Sequence, residues 1–146
     1  MLKIILRKPG DNLHDELYSM ATENSIIVET ELTLQEFVDR CEQNNCKLKA
    51  FTRPKNLHLL LEDEKYEDAD QIIISLFNDE VIKYINLQCI YDKNIIIGAI
   101  ANSDGSIPKK LLDYISSNNY ILLKHDSEYV NIAEEINLGG KENGKR

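Results

Sequence analysis

Apolar residues fall along this chain in short runs separated by polar turns, and their spacing alternates between that of strands and that of helices. "LKIIL" (Leu2–Leu6) is an apolar run closed by the loop signal "RKPGDN". Leu13, Leu17, Met20 and Ala21 then recur at helical spacing. "SIIVE" (Ser25–Glu29) predicts a second strand. Thr33 and Glu36 form a capping box, since hydroxyl and carboxylate can each satisfy a free backbone N–H at a helix start. Behind it Leu34, Phe37, Val38 and Cys41 make one apolar face.

"KLKAFTR" and "NLHLLLE" flank "RPKN", where Pro54 has no ladder donor, and together they predict a hairpin. The longest helix is expected to start at Asp68 or Asp70, with Ile73, Leu76, Phe77, Val81 and Tyr84 facing inward. "LQCIY" and "NIIIGAIAN", split by "DK", predict a second strand pair. The continuous bulky run Ile95–Ile97 suits a central strand covered on both faces. Ser106 is expected to cap a further helix, with Pro108 in its first turn and Leu111, Leu112 and Ile115 on its core side. "YILL" predicts the last strand and Glu128–Ile136 the last helix.

Interleaved helices and strands place the chain in the α/β class. The expectation is a single domain over residues 1–138 with helices on both faces, the sheet mixed because two hairpins interrupt a parallel winding. Its core would include Ile95, Ile97, Leu76, Phe37 and Leu122. The polar, Gly-rich tail "GGKENGKR" (139–146) is expected to be disordered.

Composition narrows this picture. At 146 residues and 42% hydrophobic, the chain can bury one core. Its longest apolar run, "IIIGAIA", is strand-sized, so no membrane partner and a cytoplasmic location are expected. The net charge of −8 opposes non-specific adhesion to nucleic acid. It leaves open a local basic patch, or carboxylates that reach phosphate through a metal. Cys41, Cys46 and Cys89 cannot all pair within one chain, and their spacing does not make a zinc site. All three thiols are expected free.

Open α/β sheets bind ligands beyond the carboxyl ends of their strands. Asp104 follows "IIIGAIANS" and Asp126 follows "YILLKH". If those two strands are parallel neighbours, both carboxylates point into one crevice. They could then hold Mg²⁺ or Mn²⁺, hard cations that take oxygen ligands and activate water. The same residues have a structural reading: Asp126 with Ser127 suits a helix N-cap, and Asp104 in "SDGS" suits a turn.

The segment "NSDGSIPKKLLDYISSNNYILLKHDSEYVNIAEEINL" resembles the C-terminal part of a PIN-like nuclease domain, where an acid precedes a helix, a short strand follows, and the next turn supplies another acid. The resemblance implies a metal-dependent nuclease acting on RNA or DNA. Asp104 and Asp126 would be metal ligands and Glu128 an accessory acid, with Tyr129 where an aromatic packs. Lys124 would lie near the phosphate. The strand-end acid of that family's first strand is missing from "LKIILRKPGD", and Glu62 and Asp63 at the end of "HLLLED" are its substitutes. "LEDEK" also resembles the restriction-endonuclease-like pattern, through Asp63 and Lys65 on one strand face. The terminal β-α-β-α stretch is similar to a ribosomal-protein RNA-binding domain. A non-catalytic α/β module for a protein, small-ligand or RNA partner is the alternative to the nuclease.

Overall fold

A computed structural model describes residues 2–48, 50–85, 94–116, 121–124 and 129–131. Strand and helix alternate from the start: β1 (Leu2–Arg7), α1 (Leu13–Ser19), β2 (Ser25–Val28), α2 (Leu34–Gln43), β3 (Ala50–Thr52) and α3 (Leu57–Glu62). They continue with β4 (Gln71–Ile74), α4 (Asp79–Ile85), β5 (Asn94–Ile100), α5 (Lys109–Ser116), β6 (Ile121–Lys124) and β7 (Tyr129–Asn131). The strands form one sheet in the order β3-β2-β4-β5-β1-β6-β7. Every pairing is parallel except that of β6 with β7.

The strand order dictates where the helices go. From β1 to β2 to β3 the chain moves toward one edge of the sheet, and from β3 onward it moves back. Right-handed crossovers therefore put α1 and α2 on one face and α3, α4 and α5 on the other. The packing agrees. Leu13, Leu17, Tyr18 and Phe37 cluster with Ile5, Ile27, Ile73 and Ile96. Leu57, Val81, Leu111 and Tyr114 cluster with Ile4, Ile26, Ile72, Ile74, Ile95 and Ile97. Consecutive isoleucines feed opposite cores because strand side chains alternate between faces.

The sequence pattern misassigned four segments. "NLHLLLE" is not the second arm of a hairpin. Leu57, Leu60 and Leu61 sit at helical spacing, and α3 packs all three on the core. The long helix from Asp68 or Asp70 is really a strand, a turn and a shorter helix. Its inner-face spacing ran across β4, where three β-branched isoleucines favour an extended chain. Leu76 is thus a loop residue, partly buried below α1, while Phe37 keeps its expected place inside α2. β5 has parallel neighbours on both sides, so no hairpin partner lies beside it, and "LQCIY" falls outside the described residues. Tyr129–Asn131, expected in the last helix, pairs antiparallel with β6, and among the described residues this pairing alone makes the sheet mixed. Ser106 also lies short of the helix it was expected to cap, since α5 starts at Lys109.

Local signals fared better. Thr33 Oγ1 accepts the Glu36 N–H at 3.2 Å and Glu36 accepts the Thr33 N–H at 3.4 Å, closing the capping box. Ile95 and Ile97 are core residues, as expected of a central strand. The Leu122 side chain lies outside what is described.

Gly98 in β5 sets how closely α1 lies on the sheet. A β-carbon there would stand 2.6 Å from Leu17 Cδ1 and 2.9 Å from both Leu13 Cδ2 and the Ser75 carbonyl. The backbone oxygen cannot step aside. Gly98→Ala should therefore destabilise by about 1–3 kcal/mol through overpacking, read as a lower urea midpoint. Leu59 is 58% exposed on α3, so Leu59→Ala should change stability by no more than about 0.5 kcal/mol. A larger loss at Leu59 would mean that α3 turns its other side to the core.

Candidate functional site

The connections leaving β2 and β1 pass to the α1/α2 face, while those leaving β4 and β5, which lie between them, pass to the opposite face. This divergence opens a gap above the carboxyl ends of β4 and β5, the position at which open α/β sheets bind ligands. A cleft of about 400 Å³ fills it. Leu76 and Ile100 come from the ends of β4 and β5. Gly10, Asp11, Asn12 and His14 form the wall after β1, and Glu31 and Arg40 form the wall after β2. The volume is within the roughly 300–1,000 Å³ of ordinary small-molecule sites.

Each wall is held by its own sequence. Gly10 turns the chain with φ of +93°, a conformation that side chains resist. Asp11 accepts the Lys8 N–H at 3.2 Å, and the Asn12 side chain caps α1 by accepting the Asp15 N–H. Across the cleft, Arg40 Nη1 donates to Asp15 Oδ1 at 3.0 Å, and Asn44 donates to the same oxygen at 2.9 Å. The hydrogen bond from Asn44, helped by Arg40 and Asn12 against a desolvation that works the other way, holds the Asp15 carboxyl below its ordinary range. One Arg40 nitrogen thus ties α2 to α1. His14 packs edge-on against Tyr18, its Nδ1 buried without a hydrogen-bond partner.

Behind this wall is a buried carboxylate. Glu29 follows β2 and is 0% exposed. Its Oε1 accepts the N–H groups of Glu31 at 2.8 Å and Leu32 at 2.9 Å, and the Ser75 hydroxyl at 2.9 Å. Its Oε2 accepts the Tyr18 hydroxyl. Burial alone would raise its pKa. The donations from Leu32, Tyr18, Glu31 and Ser75 outweigh that and hold it below the usual carboxylate range. Burial, and then the Glu29 charge, push the Tyr18 phenol the opposite way, so it stays protonated and donates. Ser75 Oγ also accepts the Thr30 N–H at 2.9 Å, and Arg53 donates to the Glu29 and Leu32 carbonyls at 3.1 and 2.8 Å. One carboxylate thereby fixes the β2–α2 loop to α1 and β4.

Of the residues singled out from the sequence, Asp104, Glu62 and Asp63 are not gathered here. Asp104 does stand past the carboxyl end of β5, but Oδ1 accepts the Ser106 N–H at 2.9 Å and hydroxyl at 2.5 Å. These bonds lower its pKa from the ordinary value, and the exposed carboxylate closes a turn. β5 and β6 are not neighbours, because β1 lies between them. Their ends are two strand spacings apart, roughly 10 Å, so the strand adjacency on which a shared crevice for Asp104 and Asp126 was expected is not present. Asp126 itself lies outside the described residues, and Lys124 closes β6. Glu62 ends α3, and Asp63 accepts the Lys65 N–H at 2.9 Å in the 3-10 turn that follows, so the Asp63/Lys65 pair is not on a strand. Both acids belong to the connection leaving β3, three strands from β5. Among the described residues no three His, Cys, Asp or Glu side chains are grouped to hold a metal ion. None of the described helices is long and apolar enough to cross a membrane.

Glu29 was within reach of the rule that selected Asp104 and Asp126, since it ends the apolar run "SIIVE". Ser75 ends "QIII" in the same way but was hidden by the helical reading of β4. Arg40 and His14 carry no such signal, because helix packing alone brings them to the cleft. No family model, curated protein or solved structure matches the chain.

Glu29→Gln should cost about 1–3 kcal/mol, because an amide cannot accept at every point where the carboxylate does. Since the folded-state pKa of Glu29 is lowered, its contribution is complete above the unfolded value of about 4.3 and lost as pH falls from there through the folded pKa. Urea midpoints from pH 7 to 2 should therefore fall less steeply in Glu29→Gln than in the unaltered chain. Parallel acid limbs would show that Glu29 carries no such linkage.

Proposed function

We propose that the chain is a non-catalytic α/β module that binds a small polar ligand in the carboxyl-edge cleft. The observation that carries this is the cleft itself, formed where the connections of β1 and β2 part from those of β4 and β5. Its chemistry suggests a zwitterion of amino-acid size. Arg40 engages Asp15 through Nη1, leaving the rest of its guanidinium fork to receive an acidic group. Asp11 and Glu31 suit a cationic or donor group, and Leu76 and Ile100 suit an apolar body between them. Mixed charge in the walls disfavours a polyanion, as does the net charge of −8.

A metal-dependent nuclease is the second reading, supported by the place of Asp104 past the end of β5 and by the resemblance of the segment around it. The described residues do not fit a bound Mg²⁺ or Mn²⁺: Asp104 is engaged by Ser106, and no group of three His, Cys, Asp or Glu side chains is formed among them.

Titration of the ¹⁵N-labelled protein with amino acids, dicarboxylates and mononucleotides separates the readings. Binding by a zwitterion should shift the amides of Gly10–His14, Glu31, Leu76 and Ile100. Arg40→Ala should weaken it by roughly 10–100-fold, the worth of a charge-assisted hydrogen bond. Amide shifts confined to other surfaces, or none at millimolar ligand, would overturn the proposal. Cleavage of single-stranded RNA or DNA that needs Mg²⁺ or Mn²⁺ and vanishes in Asp104→Asn and Asp126→Asn would establish the nuclease instead.

A further inference from the structure

The carboxyl end of α2 holds a pair of side chains that the cleft does not use. Asn44 caps the helix, and Asn45 follows in the left-handed region with φ of +49°. The Cys46 N–H then reaches back to the Cys41 carbonyl at 2.9 Å, and the Asn45 N–H to the Glu42 carbonyl at 3.3 Å. These nested bonds are a Schellman motif, which presses the side chain just past the helix against one in its last turn. Ordinarily both are apolar; here both are cysteine. Both thiols are half-buried against the cluster beneath α1 and α2, and Cys46 is close enough to Cys41 to act on its ionisation. The 2.9 Å backbone bond keeps their α-carbons no more than about 6.8 Å apart, the upper end of the roughly 4.4–6.8 Å that disulfides span.

We propose that Cys41 and Cys46 form a reversible disulfide site, closed by a low-molecular-weight disulfide and opened by its thiol. The Cys46 thiolate attacks one sulfur of the external disulfide, forming a mixed disulfide and expelling one thiolate. Cys41 then loses its proton and attacks Cys46 Sγ, expelling the second thiolate. One external disulfide is reduced to two thiols, which take up the two protons, while two cysteines are oxidised to one disulfide. The turn supplies the proximity, so the second step is intramolecular and the mixed disulfide does not persist.

The surroundings set the rate. Burial first, then the neighbouring Cys46, push the Cys41 thiol up to about 12. The ionisable groups facing it, among the described residues, are Cys46, Glu29 from the end of β2 and Tyr18 from α1. None is a cation that would favour its thiolate. Ring closure, which needs the Cys41 thiolate, therefore speeds up as pH rises. The site does not depend on what the cleft binds, although Arg40 precedes Cys41 directly.

The test is mass spectrometry of the full-length chain carrying Cys89→Ser, treated with graded oxidised glutathione and mapped without reduction. The expected product has lost two hydrogens, carries no glutathione and gives one peptide linked through Cys41 and Cys46. Closure should be faster at pH 9 than at pH 7 and reversed by reduced glutathione. Cys46→Ser in the same background should show no loss of two hydrogens. Persistent glutathione adducts, disulfide-linked dimers as the sole product, or no reaction would each overturn the proposal. Mapping of the unaltered chain gives the same readout should Cys89→Ser fold poorly.

Discussion

A carboxylate without solvent contact has to be neutralised, protonated or surrounded by donors, and Glu29 takes the last course. Two backbone N–H groups, a serine and a tyrosine converge on its two oxygens. The partners come from α1, from the end of β4 and from the loop leading into α2. Those three segments are remote in the chain, so their relative positions follow from one side chain's need for acceptors to be filled. Loss of one donor would leave the charge under-satisfied, whereas loss of an apolar contact nearby would leave a space that neighbours can partly fill. Such a polar cluster specifies one arrangement of the loop more narrowly than apolar packing does.

The cleft in front of it inherits that definition. One wall turns on Gly10 and the Asn12 cap; the other is anchored through Glu29 and through Arg40 to Asp15. Gly98 removes the spacer that a side chain would impose between α1 and the sheet. Both walls thus hang from secondary structure seated on the central strands. Recognition by such a site depends on complementarity already present before a ligand arrives.

Local physics was legible in the sequence and long-range physics was not. The capping box at Thr33 and the buried run at Ile95–Ile97 each follow from a few adjacent residues, and both are in place. "QIIISLFNDEVIKY" was misread because apolar residues at helical spacing can also straddle a strand, a turn and a helix. Only the β-branched triplet inside it marked β4. The position of β1 between β5 and β6 could not be foreseen from spacing at all. It decides that the ends of those two strands do not meet. Arg40 and His14 became visible as cleft residues only once α1 and α2 were placed on the same face.

β3 ends the sheet with three residues, and Pro54 follows it after a single intervening residue. Phe51 is partly exposed on this strand, stacked on Phe37 with ring centroids 4.4 Å apart, and Leu34 and Val38 of α2 are exposed as well. An apolar border of this kind on a long strand would invite another chain to extend the sheet and start a fibril. Here the open border has too few consecutive backbone groups to register an incoming strand, and at Pro54 the chain leaves the sheet for a 3-10 turn. The chain can carry an oily margin without offering a template for cross-β growth.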